Sequence, residues 1–114
     1  MMRVLWFSRH DLTKEQKDGL RFYFKDEIEV KGVAKTVESA QEIVDYAVRF
    51  NCNILAVVLP VHLLSDLMKI APFKAMHVVV PRSKRILNED NTVTFAYDGW
   101  EHVEYCDYKS RTFK

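Results

Sequence analysis

Ile54-Leu55-Ala56-Val57-Val58-Leu59 is the most strongly apolar run in the chain. An unbroken run of this kind, rich in β-branched residues, describes a strand covered on both faces, the habit of a central strand in a parallel sheet. A second such run, Val4-Leu5-Trp6-Phe7, is closed by the polar Ser8-Arg9-His10-Asp11. Parallel strands need crossover connections, and the sequence around these two runs supplies them.

Between the runs, Thr13-Lys14-Glu15-Gln16 has the capping-box pattern, in which the Thr hydroxyl and the Gln side chain satisfy free amides of a helix's first turn. The helix is expected to reach about Phe24, with Leu20, Tyr23 and Phe24 on one apolar stripe. Gly19 within it costs roughly 1 kcal/mol relative to Ala. Ile28 and Val30 alternate with Glu27, Glu29 and Lys31, as in a short, half-exposed edge strand. Ser39-Ala40-Gln41-Glu42 is expected to be a second capping box and opens a second helix, with Ile43, Val44, Ala47 and Phe50 near the helical period. It should stop at Asn51-Cys52-Asn53, because Asn tolerates a left-handed cap.

Beyond Leu59, Pro60 begins a turn, Leu63, Leu64, Leu67, Met68 and Ile70 give a third helix a broad apolar face, and Ala71-Pro72 ends it. Met76-His77-Val78-Val79-Val80 reads as a fourth strand. The alternation of strand and helix predicts an α/β fold of three layers, Rossmann-like or flavodoxin-like, with a parallel sheet in the order 2-1-3-4. After Pro81 the pattern changes. Arg82-Ser83-Lys84-Arg85 is basic, Asn88-Glu89-Asp90-Asn91 is a polar turn, and Thr92 to Tyr97 is expected to pair with Trp100 to Tyr108 across Asp98-Gly99. Asp-Gly suits a type I′ turn, whose two central residues both need positive φ, so an antiparallel C-terminal β-hairpin is predicted. No repeat, low-complexity stretch or Ser/Gly linker divides residues 1–114, which read as a single α/β domain.

The composition fits this frame and excludes several functions. The 114 residues are 48% hydrophobic and 29% charged, with 17 basic against 16 acidic side chains. A chain of this length buries roughly two-thirds of its unfolded surface and needs neither disulfide nor metal to fold. Residues 1–59 carry nine basic and nine acidic groups, and residues 60–114 carry eight and seven. No basic half is hidden in the average. The acid-free basic stretch Lys74, Arg82, Lys84, Arg85 and the terminal Lys109, Arg111 and Lys114 make at most a modest basic face, which argues against nucleic acid as a partner. The N-terminal apolar run is too short for a signal peptide or a membrane span, so a cytoplasmic protein with no membrane partner is expected. Cys52 and Cys106 form no C-x-x-C pair and read as free thiols.

In an open α/β sheet, ligands collect outside the carboxyl ends of the strands, where adjacent crossovers diverge. For this topology that rim presents Ser8, Arg9 and His10 after the first strand, His62 after the third, and Arg82 and Ser83 after the fourth. Arginine forks and free amides at helix N-termini suit a small anionic ligand. Against this stands the ordinary polarity of loops in water. Gly19, Gly32 and Gly99 do not sit where a phosphate-cradling turn after the first strand would need them, which excludes P-loop and dinucleotide fingerprints and leaves no cofactor implied. Leu59-Pro60 stands where a phospho-receiver would carry its acceptor Asp. Phe95, Tyr97 and Trp100 form an aromatic cluster on the hairpin that serves either as a satellite core or as a contact surface. His77 reads as a satisfied core or edge histidine.

The opening Met2-Arg3-Val4-Leu5-Trp6-Phe7-Ser8-Arg9-His10, followed by Leu12-Thr13, resembles the start of small uncharacterised α/β proteins of bacterial mobile elements. The likeness covers about a tenth of the chain. It implies an accessory protein and assigns no activity to any residue. Three functions remain on the sequence: a non-enzymatic binding or regulatory module with an anion or nucleotide-type crevice, a homo-oligomeric interaction protein using the aromatic hairpin, and a hydrolase built on His10 and His62 with no catalytic set defined.

Overall fold

The computed structural model describes residues 1–103 and 110–113. Strands β1 (Met2–Phe7), β2 (Ile28–Val33), β3 (Ile54–Ala56) and β4 (His77–Leu87) alternate with helices α1 (Lys14–Phe24), α2 (Ala40–Arg49) and α3 (Val61–Met68), and a 3₁₀ turn (Ala71–Lys74) follows α3. Strands β5 (Val93–Val103) and β6 (Ser110–Phe113) complete the chain. The sheet is mixed, in the order β2-β1-β3-β4-β5-β6. The first four strands of that order run parallel, and β5 and β6 are antiparallel to their neighbours. The expected order 2-1-3-4 and a C-terminal antiparallel hairpin are both present, and the C-terminal strands extend the same sheet.

Local chemistry explains the elements. Thr13 accepts from the Gln16 amide while the Gln16 side chain accepts from the Thr13 amide, so the first cap is a full box. At α2 only half of the box forms. Ser39 caps the Glu42 amide, but the Glu42 carboxylate turns to Lys35 at 2.6 Å. Asn51 takes the left-handed conformation just past α2, with φ 56°.

Parity along the strands sorts the core into two clusters. Val4, Trp6, Leu20, Ile54, Ala56, Val79 and Trp100 meet on the α1 side of the sheet. Leu5, Phe7, Leu55, Val57 and Val78 meet Ile43, Val44 and Ala47 of α2 and Leu67 and Met68 of α3 on the other. Burying both faces of β1 and β3 is what their unbroken apolar runs require.

The expectation for the hairpin needs one correction. Asp98-Gly99 is not its turn. The chain passes straight through it within β5, and the reversal falls at Asn88–Thr92, where Asn91 has φ 65° and Asp90 accepts from the Thr92 amide and hydroxyl. The ladder pairs Pro81 with Trp100 and Ser83 with Tyr97, so Asp98 and Gly99 together oppose Arg82. This is a β-bulge, and Gly99 supplies its positive φ of 85°. Asp-Gly serves either structure because both demand a left-handed residue, which glycine adopts without steric cost. Strand β4 is correspondingly longer than the expected Met76–Val80. Pro81 does not end it, since a missing backbone donor is tolerated at a bulge. β3 is shorter than the apolar run 54–59, although the Val57 amide still bonds the Val79 carbonyl. The part of the expected second hairpin strand beyond Val103, with Cys106, Tyr108 and Lys109, lies outside the described residues, as does Lys114.

Candidate functional site

Beyond Val80, β4 loses β3 as a neighbour and, among the described residues, pairs with β5 alone. Residues 83–87 and 93–97 therefore form a two-stranded arm past the carboxyl ends of β1 and β3. Directly paired residues share a face, so Ser83–Tyr97, Arg85–Phe95 and Leu87–Val93 line one side. Lys84–Ala96 and Ile86–Thr94 line the other.

The bulge decides which way the first side looks. Tyr97 and Trp100 are three residues apart and would point to opposite faces of a regular strand. The extra residue at Asp98-Gly99 restores the parity, and both rings pack on the α1 cluster. Trp100 is fully buried, meets Trp6 edge-on at 6.3 Å and donates its indole N–H to the Gln16 carbonyl at 3.1 Å. Tyr97 is half-buried over Gly19. A Cβ on Gly19 would collide with the Tyr97 hydroxyl and stand 3.4 Å from Trp100 Cδ1, so glycine is what lets α1 lie this close. The Tyr97 hydroxyl is buried without a hydrogen-bond partner, and burial together with Glu15 and Asp18 pushes its pKa up. Phe95, two residues further out on the same side, is 67% exposed, and Leu87 is 73% exposed. The aromatic trio of the sequence thus spans core, boundary and solvent.

The rim residues are dispersed. Ser8 accepts from the His10 amide at 3.1 Å, and the His10 carbonyl accepts from the Trp6 indole at 2.6 Å, so this loop is organised around the buried tryptophan. Arg9, His10 and His62 are exposed, and among the described residues no hydrogen bond or ring contact joins His10 to His62. Arg82 and Ser83 line a groove of about 330 Å³ with Thr13, Gln16, Val58, Phe95 and Tyr97. None of Ser8, Arg9, His10 or His62 lines it. Arg82 stands 3.9 Å from Asp98 and 3.8 Å from Glu101, which balance its charge, and the Thr13 hydroxyl and the Gln16 side-chain carbonyl are occupied in the helix cap. The groove therefore joins two residues of the expected ligand rim to two of the aromatic cluster, with little free polarity.

Sequence reading missed a second polar cluster at the opposite end of the sheet. His102 Nδ1 is 2.7 Å from the Tyr23 hydroxyl, and His102 Nε2 is 3.3 Å from His77 Nδ1. Tyr23 stacks on Phe113 at 3.8 Å, and Phe24 packs against both histidines. Burial lowers the His77 pKa and so favours the neutral imidazole. The signal was parity: His77 and Val79 share a face, and the register sets His102 beside Val79. Among the described residues no group of three or more His, Cys, Asp or Glu is placed to hold a metal. Cys52 is buried, and burial raises its thiol pKa. No helix among the described residues is long and apolar enough to cross a membrane.

No protein-family model, no curated protein and no solved structure matches the chain. What defines the protein is its own geometry, an α/β body with helices on both faces of a mixed sheet and an exposed antiparallel arm.

Proposed function

We propose that the protein is a non-enzymatic interaction module whose working element is the β4–β5 arm, carried on a Rossmann-like core. One observation carries the reading: Leu87, Val93 and Phe95 lie exposed together on one face of a two-stranded ribbon to which, among the described residues, no third strand is added and which meets α1 only at its root, around Tyr97. An isolated two-stranded hairpin is marginal in water, and contiguous exposed apolar surface marks interaction sites. Lys84 and Arg85 stand without a carboxylate partner among the described residues, which gives the arm a basic, aromatic character suited to a protein contact. An accessory role in a bacterial mobile element is compatible with such a module.

A photo-reactive benzoylphenylalanine at position 95, illuminated in cells producing the protein, tests it. Cross-linked polypeptides are expected from position 95 and not from the exposed position 35 at the far side. Equal yields from the two positions would overturn the reading.

A second reading, a small anionic ligand such as a nucleotide held at the strand ends, rests on Arg82 and Ser83 lining this groove, with Asp98 and Glu101 already beside Arg82. It predicts a rise in melting midpoint with inorganic phosphate or nucleotides that is lost in Arg82→Gln. No rise at millimolar ligand would remove it.

A further inference from the structure

We infer that the partner of the arm is a second copy of this chain, each arm docking on the other's α1; the inference rests on the interaction reading above. The arm's outer face carries Phe95, Leu87 and Val93 with Arg85 opposite Phe95. A matching surface exists on α1. Glu15, Asp18 and Phe22 recur at i, i+3 and i+7, so they share one helical stripe. With Gly19 and Tyr97 they line a shallow groove of about 300 Å³, and Phe22 is 80% exposed. Glu15 has no cationic partner among the described residues, and Asp18 has only Arg21 of its own helix at 2.9 Å. One patch is apolar with an unpaired cation, and the other is apolar with an unpaired carboxylate.

Their placement favours self-association over a foreign partner. Tyr97 packs onto Gly19 of α1, and Phe95 lies on the same side of β5, so both patches look out from one face of the sheet. A chain that displays both halves of a complementary contact side by side can satisfy them reciprocally about a two-fold axis. Residue i of one copy then meets residue j of the other, and j meets i, so the assembly closes as a dimer instead of growing into a fibre. Reciprocity also uses each patch once and doubles the area a short arm could bury alone. An unrelated acidic partner would explain the arm but not the exposed Phe22 and Glu15 beside it.

Charge exchange tests this directly, by sedimentation equilibrium on the full chain. Wild type is expected to dimerise. Arg85→Glu and Glu15→Arg, both surface changes, should each weaken the dimer by about tenfold or more, because each sets like charges face to face. The double variant Glu15→Arg/Arg85→Glu should restore association. Phe22→Ser should weaken it without altering the circular dichroism of the monomer. A monomeric wild type, or a double variant no better than the singles, would overturn the second-copy assignment. Position-95 cross-links in cells to a polypeptide other than this chain, together with a monomeric purified protein, would also overturn it while leaving the interaction reading intact. The absence of cross-links altogether would overturn both.

Discussion

The two halves of β4 make an instructive pair. His77 to Val80 and Ser83 to Leu87 belong to one strand and pair with the same neighbour, β5. The first half is also flanked by β3 and covered by helices on both faces, and Val78 and Val79 are buried. Beyond its root at Ser83–Tyr97, which meets α1, the second half has the same ladder and, among the described residues, no third strand, and Leu87 stays open to water. Backbone pairing is common to both, so it is the third strand and the helices that bury side chains. The body folds by closing its apolar runs between layers, whereas the arm's apolar residues contribute little to that closure.

The largest test of this contrast is at Trp100, where the body begins. Trp100→Ala empties the junction between Trp6, α1 and β5, and should cost about 3–5 kcal/mol in urea unfolding. A loss as small as that of an arm substitution would erase the distinction between the halves. Gly19→Ala comes next. Helix propensity alone would make it favourable, but the added methyl meets the Tyr97 hydroxyl, so a net loss of about 1–3 kcal/mol is expected. Adding Tyr97→Phe removes the obstructing hydroxyl and should return much of that loss. Stabilisation by Gly19→Ala alone would show that α1 is not held against the root of the arm. Gly99→Ala strains a left-handed residue by about 1–2 kcal/mol and sharpens the boundary, because the bulge sets the arm's facing.

A smaller effect concerns pH. Burial holds the His77 pKa below its ordinary value of about 6.5, so the unfolded chain binds more protons than the folded one just below that pH. Stability is therefore fully present above about pH 6.5 and falls as pH drops toward the depressed folded value. His77→Gln should flatten this slope below about pH 6.5. An unchanged slope would place the titration elsewhere.

Much of the body was legible in the sequence. The caps at Thr13 and Ser39 and the apolar runs at Val4 and Ile54 each demand one local structure, and the packing agrees with them. The arm was not legible, for two physical reasons. Asp98-Gly99 meets the backbone demand of a tight turn and of a bulge equally well, so local chemistry alone could not choose. Phe95, Tyr97 and Trp100 are all aromatic, and their separation into exposed, half-buried and buried follows from the bulge and from where α1 ends. Arg82 was legible as a rim residue, but its pairing with Asp98 and Glu101 depends on the same register.

The most direct measurement is the urea midpoint of wild type and Leu87→Ser/Phe95→Ser at two protein concentrations about a hundredfold apart, since a dimer's stability rises with concentration. The wild-type midpoint should rise with concentration, the variant's should not, and the unfolding free energies of the two should agree within about 0.5 kcal/mol when dilute. A concentration-independent wild type, or a variant clearly less stable even when dilute, would contradict the claim that the arm's apolar face exists for association and not for folding.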